Sequence, residues 1–384
     1  MDSTIALAMI VRDEAEVIGR CIESVRERID YWVICDTGST DATREIVRDA
    51  LAGVPGELHQ RKWVDFGHNR TELLKLARGK ADYLLLLDAD MTVSVNGVLP
   101  VLSADSYMLR FDEDPGYWLE CLIDGARRWW SQGSTHEHIA TDGPHTVRNL
   151  REIVVEHHHD GSSRPQKLTR DKQLLEADLQ REPENPRTVF YLAQTYRDLG
   201  EHDRALDLYG KRTKLGGWEE EVFYALYQVG VLRAALGQWP AAMTALIAAW
   251  EYRPARVEPL YELAGRLRRR GEYQTAYLLA KQGLSAPRPA DHLFVERWIY
   301  EWGLLFEYSI AAYWAGDPHA ALRACDRLLD CVRLPESYRE QTLENREHCL
   351  RALTPEVLPN ASFTLRDGRL VELNLPATRA RTRW

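Results

Sequence analysis

The chain has 384 residues, of which 45% are hydrophobic and 28% charged, with a formal net charge of -9. That length suits two domains, and the composition is that of an ordinary globular protein, not a disordered or fibrous one. The excess of 58 acidic over 49 basic residues excludes a general nucleic-acid binder, and no apolar run approaches the roughly 18 residues that a membrane-spanning helix needs. Six cysteines without C-x-x-C spacing, with no signal segment ahead of them, predict reduced thiols and a cytoplasmic protein.

TIALAMIVR at 4–12 predicts a first strand, followed by a helix that places Val17, Ile18, Cys21, Ile22 and Val25 on one face. YWVICDTGSTD at 31–41 predicts a second strand ending in a polar turn, where Ser39, Thr40 or Asp41 can cap the next helix. A third strand around GELHQRKW, a helix over HNRTELLKLARG and a fourth strand in YLLLLDADM at 83–91 complete a β-α-β-α-β-α-β order. That order belongs to a parallel sheet covered by helices. Ligands of such sheets bind outside the carboxyl ends of the strands, so Asp13, Glu14, Asp36, Asp88 and Asp90 fall where a site belongs. Asp88 and Asp90 stand at alternate positions of an extended chain and project to one side, where a pair of carboxylates can hold a hard divalent cation and leave positions open for phosphate oxygens.

ALAMIVRDEAEVIGRCIESV, DYWVICDTGSTDATREIV and WVDFGHNRTELLKLARGKADYLLLLDADM together resemble the opening of the inverting glycosyltransferases of family 2. The likeness runs from residue 4 to about 165. It implies an α/β GT-A fold, a nucleotide-sugar donor with UDP favoured, and Mn2+ or Mg2+ held by Asp88 and Asp90 as a D-x-D pair. It implies further that Asp36 reads the nucleobase, that Glu14 and Asp88 lie near the donor, and that Arg70 faces it. The alternative for Arg70 is an exposed helix arginine. The asparagine usual before that first glutamate is Asp13 here.

Inversion requires one base on the face of the sugar opposite the leaving group. WWSQGSTHEHIA at 129–140 supplies candidates: Glu137 is preferred by resemblance to the family's acid, and His136 or His138 orients it or lines the acceptor site. Asp112, Glu113 and Asp114 are rival acids. Trp129 and Trp130 either stack on a sugar or close the core, which is expected of at least one. EIVVEHHHDGSSR at 152–164 puts His157 and His159 on one strand face and His158 on the other. The family pattern assigns the metal ligand to His157, against the alternative of a surface cluster.

Beyond residue 165 the strand signals vanish, and glycine followed five residues later by alanine recurs at Gly200, Gly237, Gly271 and Gly316. The spacings of 37, 34 and 45 compare with the 34-residue tetratricopeptide period. The prediction is a catalytic domain over 1–165, an all-α tetratricopeptide-like domain over 166–358 docked through a 165–183 helix, and a short hairpin about Asp367 and Gly368 with a basic tail in 359–384. Such repeats suit an extended peptide or a homodimer. A GT-A domain followed by these helices resembles a bacterial subset of family 2 that includes lipopolysaccharide-core and sublancin-type peptide S-glycosyltransferases, so the acceptor is a peptide, a glycan or a small molecule. Two rival functions stand beside this one. A sugar nucleotidyltransferase would need a glycine-rich phosphate loop where MIVRDEAE stands, and a binding scaffold would have no use for Asp36, Asp88 and Asp90.

Overall fold

The computed structural model describes residues 3–112, 117–161, 167–354, 363–366 and 369–372. Four strands, β1 (Ile5–Val11), β2 (Tyr31–Asp36), β3 (Gly56–Gln60) and β4 (Tyr83–Leu86), run parallel in the order β3-β2-β1-β4. The helices between them are α1 (Ile18–Val25), α2 (Thr43–Ala50) and α3 (Phe66–Ala77). Every residue of β1 is buried. Leu7, Met9 and Val11 pack with Ile18, Ile22 and Val47 on one face, and Ala6, Ala8 and Ile10 with Leu73, Leu74 and Ala77 on the other. Cover on both faces is why the strand reads as an unbroken apolar run.

The sheet continues beyond β4 in mixed sense, through β7 (Tyr117–Asp124), β6 (Ser106–Phe111), β10 (Val147–His157) and β5 (Met91–Val95). A separate ribbon pairs β8 (Trp129–Gln132) with β9 (His138–Thr141). Trp129 is buried in the core and Trp130 is half-buried. Asp41 does not occupy the cap position of α2, which falls to Ala42. Instead its carboxylate accepts the Thr43 N–H and the Ala15 N–H, both at 3.0 Å, and so ties the start of α2 to the loop after β1.

Among the described residues ten helices follow: α4 (Lys167–Arg181), α5 (Pro186–Asp198), α6 (His202–Arg212), α7 (Glu219–Ala235), α8 (Trp239–Tyr252), α9 (Glu258–Arg269), α10 (Tyr273–Leu284), α11 (Leu304–Trp314), α12 (Pro318–Leu329) and α13 (Glu336–Leu353). Consecutive members pack as pairs, α5 with α6, α7 with α8, α9 with α10 and α11 with α12. Gly200, Gly237, Gly271 and Gly316, all at φ between 75 and 91, end the first helix of each pair in the left-handed region that favours glycine. Ala205, Ala242, Ala276 and Ala321 are fully buried where the paired helices cross. The second half is thus a tetratricopeptide-like repeat domain.

Further along the chain, β11 (Phe363–Arg366) and β12 (Arg369–Glu372) pair antiparallel. Asp367 and Gly368, the expected centre of the hairpin, the basic tail, and the rival acids Glu113 and Asp114 lie outside the described residues. Among the described residues no helix is long and apolar enough to cross a membrane, and all six cysteines are unpaired thiols.

Candidate active site

Beyond the carboxyl end of β4 the chain turns through Asp88, Ala89 and Asp90 before β5 begins. The two carboxylates make separate contacts. Asp88 accepts from Nη2 of Arg70 at 3.0 Å, and Nε of the same guanidinium donates to Oε1 of Glu137 at 2.7 Å. Arg70 lies one turn into α3, and its side chain is only 12% exposed. The structure therefore decides against an exposed helix arginine. Burial alone would weaken the guanidinium's hold on its proton, but the charges of Asp88 and Glu137 outweigh it and leave the pKa raised.

Glu137 reaches Arg70 because the loop after β8 is laid directly on the start of α3. A Cβ at Gly67 would stand 2.2 Å from the carbonyl oxygen of Gly133, so only glycine permits the approach. Phe66 N–H donates to the Ser134 carbonyl at 3.1 Å, and Thr71 Oγ1 exchanges bonds with the Ser131 main chain at 3.0 and 3.2 Å. The other side of the loop is held by the helical domain. Asp178 of α4 accepts from the Ser134 N–H and hydroxyl, Asp171 of α4 accepts from the Thr135 hydroxyl at 3.2 Å, and Arg187 of α5 donates to the His136 carbonyl at 3.0 Å.

His136 takes up a left-handed backbone at φ 50 and stacks on Tyr191 of α5, with ring centroids 4.3 Å apart. Burial first, then the positive charges of Lys167, Arg187 and Arg170, push its pKa down to about 3. It is therefore a neutral imidazole, and its 3.8 Å approach to Asp171 is no ion pair. Burial likewise raises the pKa of Asp171, whose Oδ2 has no hydrogen-bond partner among the described residues. His136 thus faces the helical domain, while Glu137 faces Arg70. His138 is exposed at the start of β9, and Asp112 pairs with Arg110 at 3.7 Å.

Asp90 turns the other way. Its Oδ2 stands 3.1 Å from Nε2 of His157 and accepts the Gly161 N–H at 3.2 Å. Burial pushes the Asp90 carboxyl up, but the bond and charge of His157 and the Gly161 amide overcome this and hold it below the ordinary value. A Cβ on Gly161 would meet Asp90 at 3.0 Å and Oε2 of Glu14 at 3.4 Å, which places Glu14 beside the pair. β10 ends at His157, so strand alternation does not reach His158 and His159; the chain turns at His159, at φ 56, where its ring lies 3.9 Å from that of His157, and His158 bonds Thr92. Among the described residues no group of three or more metal-ligating side chains is gathered at one point.

Asp36 ends β2, buried, with its carboxylate turned back onto the Gly38 and Ser39 amides at 3.1 to 3.3 Å. Asp13, at φ 54, accepts from the Thr40 N–H at 2.6 Å, and its own N–H donates to Ser39 at 2.9 Å. It braces the loops after β1 and β2 together. The thiols of Cys21 and Cys121 near Asp88 are pushed up to about 12 by burial first and then by that charge, which leaves neither a nucleophile.

Residues 7–104 match glycosyl transferase family 2. The N-terminal domain belongs to that family. Some 53% of the chain is similar to 52% of the SPbeta prophage-derived glycosyltransferase SunS of Bacillus subtilis, at 25% identity over 226 residues. A TPR repeat-containing protein of Synechococcus elongatus is 42% identical over 86 residues, 22% of this chain and 20% of that protein. The chain thus spans about half the length of one of these curated relatives and a fifth of the other. Among solved structures, half of the chain is similar to the C-terminal part of a TPR repeat-containing protein from Cytophaga hutchinsonii, with 70% of that chain covered, 12% identity and a TM-score of 0.40.

Proposed function

We propose that the protein is a metal-dependent inverting glycosyltransferase that moves a sugar from a UDP-sugar to a peptide, glycan or small-molecule acceptor. The observation that carries this reading is the convergence of Glu14, Asp88, Asp90 and the Arg70–Glu137 pair on one rim of a family 2 domain. Departure of a nucleoside diphosphate leaves negative charge at the phosphates, which a bound Mn2+ or Mg2+ neutralises. Asp90 and His157, whose side chains meet at 3.1 Å, would hold the ion. Asp88, bound to Arg70, contributes through that contact. Asp36 retains lone pairs for a nucleobase N–H, and Glu14 borders the diphosphate position.

Glu137 is the base. Its Oε1 is fixed by Arg70, and Oε2 is left to take the acceptor's proton. His136, neutral and stacked on Tyr191, positions the loop that presents Glu137. Six unpaired thiols support a reducing compartment, and dimerisation through the repeats is read by light scattering. Purified protein with Mn2+ is expected to bind UDP by calorimetry, to hydrolyse a UDP-sugar slowly, and to lose both in Asp90→Ala. Release of pyrophosphate from a sugar phosphate and UTP would overturn this in favour of a nucleotidyltransferase. Failure to bind UDP or any other nucleoside diphosphate would leave only the scaffold reading.

A further inference from the structure

The fourth repeat is longer than its neighbours because residues 285–298 are inserted between α10 and the π-helical turn Ile299–Gly303 that opens α11. The insertion does not project into solvent. It folds over the first helices of the preceding pairs, where Phe294 packs on Tyr224 at 4.9 Å and stacks on Phe190 at 6.5 Å. Glu220 of α7 accepts the His292 and Leu293 amides at 2.8 and 2.7 Å. The fully buried Arg256 donates to the Leu293 and Phe294 carbonyls at 3.2 and 3.0 Å. Phe294 holds φ 47, a strained backbone that persists only where its surroundings fix it. The aromatic face of α5 and α7, along which an extended peptide would lie, is covered by the chain itself.

The outer side of the insertion meets the catalytic domain. A cavity of about 150 Å³ lies between Trp118 of β7 and Arg288, Pro289, His292, Val295 and Arg297. Strand register puts it on the catalytic rim. Leu122 pairs with Leu85 across β7 and β4. Trp118 is four residues further along β7 and Asp88 three residues beyond Leu85, in the same direction, so each stands roughly 10 to 13 Å past that pair at about 3.3 Å per residue.

The cavity has unspent positive charge. Arg297 makes no ion pair among the described residues, and Arg288 reaches Glu301 only at 3.9 Å. Asp291, the acid in the wall, is committed to Arg253 and Arg256 at 2.6 and 3.1 Å. Guanidinium groups bind phosphate and carboxylate oxygens, and an indole offers an apolar face to the C–H side of a sugar ring. We propose that this cavity is the acceptor subsite and that it takes a sugar bearing a phosphate or carboxylate group. The inference rests on the glycosyltransferase reading above and names its acceptor class. The covered α5–α7 face and the small volume favour this compact anionic group over an extended peptide.

The test is titration of the full chain with glucose 6-phosphate and with glucuronate, followed by calorimetry and saturation-transfer NMR, beside glucose, inorganic phosphate and tetraglutamate. At least one anionic sugar is expected to bind, ten times or more tighter than glucose or inorganic phosphate, and which one binds separates the two oxyanion sources. Saturating UDP with Mn2+ should not displace it. Arg297→Gln and Trp118→Ala should each weaken it tenfold or more without moving the melting temperature. Tetraglutamate binding that vanishes in the same variants would overturn the proposal in favour of an acidic peptide. So would the absence of anionic-sugar binding, or binding indifferent to both variants. UDP binding, titrated separately, keeps the two readings apart: UDP bound without anionic sugar sinks the subsite alone, and anionic sugar bound without UDP sinks the catalytic reading alone.

Discussion

Gly67→Ala is a one-carbon test of how Glu137 is positioned. Within α3 the substitution should help, since alanine is favoured over glycine in a helix by about 1 kcal/mol. The added Cβ, however, would stand 2.2 Å from the Gly133 carbonyl oxygen, where a carbon–oxygen contact needs about 3.3 Å. Helix and loop must part by about 1 Å. The helix cannot yield easily, because Leu73, Leu74 and Ala77 are buried beneath the sheet, so the loop carrying His136 and Glu137 moves. Overpacking costs about 1 to 3 kcal/mol, and the helical gain offsets about 1 kcal/mol of it, which predicts a net loss of stability between about 0 and 2 kcal/mol. A misplacement of about 1 Å at a reacting group costs on the order of a hundredfold in rate. Turnover of the UDP-sugar should therefore fall about a hundredfold, while UDP affinity, assigned above to the opposite side of the rim by proposal, should change less than about threefold. A variant with wild-type turnover would show either that the loop moves without consequence or that Glu137 is not the base.

Asp178→Ala removes both bonds to Ser134 and should cost about 1 to 3 kcal/mol in urea unfolding, with kcat reduced and UDP affinity kept. His157→Ala should weaken Mn2+ binding, read by electron paramagnetic resonance, by at least about tenfold, with the fold intact by circular dichroism. Glu296 is pushed up to about 7 by burial and then by Glu258, with Tyr227 of α7, Glu262 of α9 and Arg256 also facing it. Its folded pKa exceeds the unfolded value, so its contribution is fully present below about pH 4.5 and is lost as pH rises through about 7, up to about 3 kcal/mol. Glu296→Gln should flatten that part of the stability profile in thermal melts from pH 5 to 8, and an unchanged slope would count against it.

The parts of this fold that the sequence exposed are those governed by burial on a fixed period. β1 reads as a strand because both of its faces are covered, and the four glycines mark repeats because each ends a helix at positive φ. The position of Asp88 and Asp90 followed from strand topology. Their partners did not. Arg70 sits in HNRTELLK with polar neighbours, and its burial comes from a loop more than sixty residues on. One signal was present: glycine next to the start of α3 is unfavourable for a helix and marks a close backbone approach. The spacing of 45 likewise flagged an irregular fourth repeat, but nothing local reveals that its extra residues fold back over α5 and α7.

The helical half is a structural part of the catalytic half. Three consecutive residues ahead of Glu137 each meet it: Ser134 through Asp178, Thr135 through Asp171, and His136 through Arg187 and Tyr191. Fixing the backbone of a residue costs about 1 to 2 kcal/mol, so a loop with one glycine at φ 104 and a histidine at φ 50 is not held by its own preferences. A repeat domain that only recruited a partner would need none of these bonds. Here α4 and α5 set the geometry of Glu137 from behind, and the insertion of the fourth repeat walls the rim beside Trp118. On the function proposed above, both contacts act on the acceptor side of the rim, away from Asp36, so divergence within the repeats would change what receives the sugar while the donor chemistry stays the same.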